Sequence, residues 1–256
     1  MILAVDIGNT NIVIGCIDGG EISYVFRVST NISKTADECA ADLKGLLDFH
    51  GIAPDSFDGA IIACVVPPLT RVFKDAIKLL TGLGAVIVGS GVKTGMNILI
   101  DDPGQLGGDM VATAVGALAS YTPPIVIVDM GTATKMIVLN KDGSFIGGAI
   151  LPGVSLSMNA LAAGTSQLPR VPIEAPDKCI SANTVDCMKS GAIFGAASMI
   201  DGMAERFEDE LGESAQVVAT GGLSGAVYRH CKREVVHDPH LTLRGLGIIY
   251  EKNRRK

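Results

Sequence analysis

The 256-residue chain has no uninterrupted apolar run approaching the ~18 residues of a membrane-spanning helix; its apolar runs stop after about 4–8 residues. No membrane partner is therefore expected, although 48% of residues are hydrophobic and mean hydropathy is +0.39. Positive charge is also in short supply. Lys and Arg number 21 against 27 Asp and Glu, a formal net charge of −6. Nucleic acid and anionic membranes call for a basic surface, so neither is expected as a partner. The single basic run, Lys252-Asn253-Arg254-Arg255-Lys256, reads as a solvated end. No basic stretch precedes the first apolar residues and Asp6 follows at once, so no secretory leader is expected. The six cysteines (16, 39, 64, 179, 187 and 231) include no Cys-x-x-Cys spacing. They read as reduced, mostly core residues of a cytoplasmic protein.

What is present is apolar and small. A hydrophobic fraction of 48% with only 19% charged residues excludes disorder. Aromatics are 4%, Trp is missing and Gly numbers 31, a composition suited to close backbone packing and ligand loops. The length allows one large domain or two lobes.

Periodicity divides the chain into strands and helices. The opening MILAVDIGNTNIVIGCIDGGEI predicts a strand, a polar glycine turn, a second strand and a hairpin at Asp18-Gly19-Gly20. Thr35 and Glu38 have capping-box spacing ahead of a helix that ends at Gly51. A strand over 60–66 stops at Pro67-Pro68, and helices are expected over 72–80, 109–120, 155–163 and about 186–211. Residues 125–146 then repeat residues 2–23 at a constant offset of about 123 (Asp6 with Asp129, Gly8 with Gly131, Asn9-Thr10-Asn11 with Thr132-Ala133-Thr134). Alternating strands and helices with an internal repeat predict an α/β fold of two related lobes, residues 1–118 and 119–256, with their Asp-x-Gly turns beside one cleft.

Three turns could carry chemistry. Asp6-Ile7-Gly8-Asn9-Thr10 puts a carboxylate at a strand end beside a flexible glycine and short polar side chains. Such a turn can cradle phosphate while Asp6 holds Mg²⁺ through water; alternatively it is a hairpin whose polar groups bond locally. Asp129-Met130-Gly131-Thr132-Ala133-Thr134 repeats that logic, and the pair favours polyphosphate binding. Thr220-Gly221-Gly222 ends a further strand and lets backbone pass close to adenine or ribose. His230, Cys231, His237 and His240 match no zinc spacing and read as structural. Glu205, Glu208, Asp209 and Glu210 read as a solvated acidic face, and Met188, Met199 and Met203 as core.

These turns resemble the sugar kinase/Hsp70/actin superfamily, and more closely the type III pantothenate kinases. Cys64-Val65-Val66-Pro67 resembles that family's S-V-V-P strand end. Pro103 with Gly107-Gly108-Asp109 resembles its P-x-x-x-G-x-D segment. The stretches 147–153, 165–169, Asn183-Thr184, Ser190-Gly191 and 241–246 match later motifs in order, so the resemblance spans essentially the whole chain.

The resemblance implies two actin-like (ribonuclease H-like) lobes with an interlobe nucleotide cleft. It implies transfer of phosphate from ATP to the 4′-hydroxyl of pantothenate, the first step of coenzyme A synthesis, by a cytoplasmic homodimer. Asp6, Ile7, Gly8, Asn9, Thr10, Asn11, Ile12 and Val13 would bind the ATP phosphates, with Thr132, Gly221 and Gly222 also contacting ATP. Asp109 would be the general base. Gly107, Gly108, Asp109 and Met110 would line the pantothenate site with Ile100, completed by Thr184 of a second subunit. Asp129 would hold a monovalent cation, K⁺ or NH₄⁺.

Three positions depart from the family pattern. Met110 stands where the family commonly has Arg, Ile100 where it often has Tyr, and Lys135 where the second turn usually continues with Thr. Strand alternation turns Lys135 away from Thr134, which reads as a surface lysine; replacement of lost positive charge is the alternative. Two other functions remain open: a kinase of the same superfamily with a different hydroxylated acceptor, and a nucleotide-binding regulator without catalysis.

Overall fold

A computed structural model describes residues 1–254; Arg255 and Lys256 of the basic tail lie outside the described residues. The chain divides into two compact units. The first comprises Met1–Met96, Asp101–Ala119 and the C-terminal stretch from Leu241; the second comprises Asn97–Ile100 and Ser120–His240.

The first unit is a mixed sheet of β1 (Ile2–Ile7), β2 (Asn11–Asp18), β3 (Glu21–Ser29), β4 (Gly59–Cys64) and β5 (Ala85–Ile87). Its order is β3-β2-β1-β4-β5; β1–β2 and β2–β3 run antiparallel, β1–β4 and β4–β5 parallel. The second unit repeats that plan with β6 (Ile125–Met130), β7 (Ala133–Leu139), β8 (Phe145–Pro152), β9 (Gln216–Thr220) and β10 (Val236–His237), in the order β8-β7-β6-β9-β10. Parallel neighbours need crossover helices, so one α/β plan used twice answers the sequence repeat.

The repeat extends to burial, position by position. β1 and β6 share one pattern, four buried residues, a half-buried aspartate and a buried residue. The first seven residues of β2 match β7 in the same way. The offset is not constant, however. Ile125 matches Ile2 at 123, whereas Ala133 matches Asn11 at 122. The hydrogen bonds closing the turns agree: Gly8 N–H donates to Asn11 O (3.0 Å) and Gly131 N–H to Ala133 O (3.1 Å). The second turn is one residue shorter, so the expected match of Asn11 with Thr134 slips by one.

Helices cover the sheets. α1 (Ala36–Phe49) starts at the expected capping box, with Thr35 and Glu38 bonding reciprocally. α2 (Pro67–Thr81) begins five residues before the expected 72, because Pro67-Pro68 occupy its first turn, where a missing N–H costs nothing. Leu43 and Leu47 of α1 and Leu69, Phe73 and Ile77 of α2 pack on Leu3, Val5 and Ile7 of β1. Each such side chain removed from water contributes about 1.5–3 kcal/mol. α3 (Gly108–Ser120), α4 (Val154–Ala163), α5 (Thr184–Leu211), α6 (Ser224–Val227) and α7 (Leu241–Asn253) follow. In the second unit, Ile193, Ala197, Ile200 and Ala204 of α5 pack on Val126, Val128 and Met130 of β6.

The expected division at 118/119 counted α7 with the second half, but its packing lies in the first unit. A Cβ at Gly245 would stand 1.7 Å from Ala112 O, and one at Gly116 would stand 2.1 Å from Leu241 O, so α3 and α7 cross with their backbones in contact. Gly15 beside Leu243 and Gly59 beside Tyr250 seat the same helix on β2 and β4.

The cysteines are all free, but only Cys16 and Cys39 are buried; Cys179 and Cys187 are exposed, so the mostly-core expectation does not hold. The expected acidic face is not wholly solvated either. Glu208 accepts from Arg233 Nη2 (2.6 Å) and from Ala215 N–H (2.9 Å), fixing the loop that feeds β9. Among the described residues no helix is long and apolar enough to cross a membrane, and no group of three or more His, Cys, Asp or Glu could hold a metal ion.

Candidate phosphate-binding turns and acceptor segment

The first turn leaves the carboxyl end of β1. Asp6 is half-buried, and Asn9 and Thr10 are exposed at the crest. Ile7 and Ile12 are 0% and 3% exposed, so their side chains anchor the turn in the core rather than face a ligand. Thr30, just past β3, braces the turn: its Oγ1 donates to Gly8 O (2.6 Å) and its N–H to Thr10 O (2.9 Å). No sequence motif marks Thr30; it is found only through the β2–β3 pairing.

The candidate acceptor segment, Gly107–Met110, belongs to the same unit and meets the same edge of the sheet. Val65 N–H donates to Ile7 O (3.0 Å), and a Cβ on Gly107 would come within 3.6 Å of Val65 Cγ1. A Cβ on Gly108 would come within 3.0 Å of Val88 O, and Val88 N–H donates to Ile62 O (2.9 Å). The first turn and Gly107–Asp109 therefore gather at the carboxyl ends of β1, β4 and β5, where open α/β sheets bind ligands.

Asp109 is the second residue of α3 and is 9% exposed. It stands inside the helix rather than at its N-cap. Its Oδ1 accepts from Met110 N–H (2.8 Å) and lies 2.6 Å from where a Gly107 Cβ would be, so only glycine fits there without displacing the carboxylate. A carboxylate in a first helical turn is favoured by the helix dipole. Thr113 Oγ1 donates to Asp109 O (2.8 Å), fixing the turn that carries it. Met110 is half-buried. Ile100 groups with the second unit rather than with Gly107–Met110.

The second turn leaves β6. Thr132 is exposed, and its carbonyl accepts from Gly153 N–H (3.1 Å) at the end of β8. A Cβ on Gly153 would meet Thr132 O at 2.3 Å, which accounts for glycine closing the 147–153 loop. Strand alternation does send Thr134 to the buried side. Lys135, however, is not a surface lysine. It lies directly opposite Asp129 in the β6–β7 register, and its Nζ is 2.7 Å from Asp129 Oδ2, with the two side chains 18% and 15% exposed. The shorter turn moves Lys135 into register with Asp129, and the constant-offset alignment hid this.

The third turn closes over the same carboxylate. Thr220 ends β9 opposite Asp129, and Gly221 follows with φ +91°, a conformation that disfavours a side chain. A Cβ there would lie 2.6 Å from Asp129 Oδ1 and 2.6 Å from Met130 N. Ser224 Oγ donates to Gly221 O (2.7 Å) and lies 3.0 Å from His237 Nε2, whose ring stacks on Tyr228. His237 thus has a structural place beneath the turn.

Thr184 is the first residue of α5 and exposed, capped by Asn183, whose Oδ1 accepts from Asp186 N–H (2.9 Å). It lines an open concavity of about 830 Å³ with Ser157, Leu161, Leu168 and Cys187.

A duplicated mixed sheet with an Asp-x-Gly turn after the first strand of each copy defines a protein of the sugar kinase/actin-like ATPase fold. A solved structure of the activator of 2-hydroxyisocaproyl-CoA dehydratase from Clostridium difficile, with bound ADPNP, shares that fold at TM-score 0.56 and 14% identity, covering 98% of this chain and 94% of that one. Within this class, the model of the type III pantothenate kinase family matches residues 2–206. A type III pantothenate kinase of Moorella thermoacetica is 40% identical over 99% of this chain and 100% of its own length, and one of Pelobacter propionicus 41% identical over 99% and 100%. The chain belongs to the type III pantothenate kinase family.

Proposed function

We propose that this protein transfers the γ-phosphoryl group of ATP to the 4′-hydroxyl of pantothenate, the first step of coenzyme A synthesis, in the cytoplasm. The observation that carries the reading is the placement of a buried carboxylate, Asp109, beside the first Asp-x-Gly turn at one sheet edge, in a chain 40% identical to named pantothenate kinases over its length. Phosphoryl transfer needs positioning and charge neutralisation more than covalent chemistry. The crest of the first turn, Gly8 to Asn11, supplies short polar groups to the phosphates. Thr132 and the Gly221-Gly222 turn supply further contacts to the nucleotide.

Mg²⁺ fits this donor set. It binds through one or two carboxylates plus phosphates and keeps several waters, so a protein cage is not needed. Asp6, half-buried at its strand end, would hold it through water, and the ion would neutralise developing charge on the phosphates. Asp109 takes the hydroxyl proton as the acceptor oxygen attacks. Gly107 leaves room on the side of its Oδ1 for that oxygen to approach. K⁺ or NH₄⁺, which the family resemblance places on Asp129, meets a carboxylate already paired with Lys135, and no step is routed through it.

Assembly as a homodimer rests on the second unit's open concavity. Thr184 lines it with the exposed apolar side chain of Leu161 and with Leu168, so a second copy seated on it would bury apolar surface and bring Thr184 to the partner's acceptor site. Pantothenate recognition must also work without the arginine common after the G-x-D aspartate, because Met110 carries no charge.

The test is direct: purified protein with ATP, Mg²⁺ and pantothenate should form 4′-phosphopantothenate. Phosphorylation of another hydroxylated acid or alcohol alone would move the reading to a different acceptor. Nucleotide binding without any product would move it to a regulator.

A further inference from the structure

In the second turn the Asp129 carboxylate is enclosed from two sides. Oδ2 accepts from Lys135 Nζ at 2.7 Å, and Oδ1 lies against the Gly221 backbone. Both side chains are more than four-fifths covered, so the pair is held in the fold and is little screened by solvent. The equivalent place in the first turn, opposite Asp6, holds Val13, so the lysine is particular to the second turn. A lysine side chain ends in an alkylammonium group with one positive charge and three N–H donors, chemically an ammonium ion on a tether. A free K⁺ or NH₄⁺ at Asp129 would have to compete with the Lys135 ammonium for Oδ2 and for the carboxylate's single negative charge.

We propose that the Lys135 ammonium is the resident monovalent cation of this turn, so that turnover in this chain requires no K⁺ or NH₄⁺. The inference rests on the kinase reading of the turn. A fixed cation at a nucleotide-binding turn is preorganised, since it is in place before the anionic substrate arrives and need not be recruited from solution. It also meets a need of an acidic protein that binds a polyphosphate. Truncating Lys135 should reopen the Asp129 carboxylate to an added ion.

The experiment compares wild type with Lys135→Thr, and with Lys135→Ala should the first fold poorly, in KCl and in tetramethylammonium chloride at equal ionic strength. Two quantities are read: the rate of 4′-phosphopantothenate formation, and the thermal midpoint of the protein with a non-hydrolysable ATP analogue. Wild type should change by less than about twofold in rate, and the truncated variant should gain about tenfold or more in KCl, the scale of one well-placed electrostatic group. The variant alone should also show a K⁺-specific rise in midpoint. Activation or K⁺-specific stabilisation of wild type overturns the proposal, as does a folded variant that ignores K⁺ in both measurements. If neither variant folds, wild type's own response to KCl decides. If no salt yields product, the kinase reading fails and the midpoints still decide the cation question.

Discussion

Gly116 and Gly245 touch backbone to backbone: a Cβ on Gly116 would lie 3.1 Å from Gly245 N, and one on Gly245 would lie 2.9 Å from Gly116 N. This contact joins α3, whose first turn carries Asp109, to α7 from the far end of the chain. Rigid placement of Asp109 therefore depends on a glycine more than 100 positions away.

Alanine at either glycine should push the helices apart. The expected loss is about 3 kcal/mol, since the obstructing atoms are backbone and cannot rotate aside. A fall of several degrees in thermal midpoint would be the readout. Gly45→Ala is the opposing control: Gly45 lies on the exposed face of α1 with open space around its Cβ position, and the change should stabilise by about 0.5–1 kcal/mol.

Asp109→Asn should abolish proton acceptance while leaving the local structure intact, because the amide oxygen can still accept from Met110 N–H. Turnover should fall by about 10²–10⁴-fold, the usual worth of a positioned base. Affinity for an ATP analogue, measured calorimetrically, should be retained. Unchanged turnover would remove the base assignment.

Gly221→Ala sets a side chain at φ +91° and 2.6 Å from Asp129 Oδ1. The turn must shift, and nucleotide affinity should drop by about tenfold or more, equivalent to about 1.4 kcal/mol. Titration with an ATP analogue checks this. Undiminished affinity would take the Gly221-Gly222 turn out of the nucleotide site.

The duplicated strand–turn–strand units were legible because each couples two apolar runs to one polar glycine turn, and the capping box of Thr35 and Glu38 announced α1 from four residues. Register was less legible. A turn shortened by one residue leaves the motif Asp-x-Gly intact yet changes which residue faces Asp129, and side-chain period two makes such a slip decisive for Lys135. Long-range packing was not legible at all. The glycines of α3 and α7 look like weak helix positions, and only their mutual contact explains them. Met188, read as core from its spacing, is buried as expected, but Glu208 in the acidic run is tied down by Arg233, a partner remote in sequence.

The first unit is stitched from three stretches of chain, with the second unit spliced into it before α7. During synthesis the usual order of completion is thereby reversed. Residues 120–240 can close their own sheet and core while the earlier-made first unit still waits for its last helix. Until Gly245 reaches Gly116, the underside of β1, β2 and β4 lacks its cover, and α3 lacks the contact that steadies Asp109. A chain halted before α7 would thus present a finished second unit and a first unit whose α3 is not yet steadied.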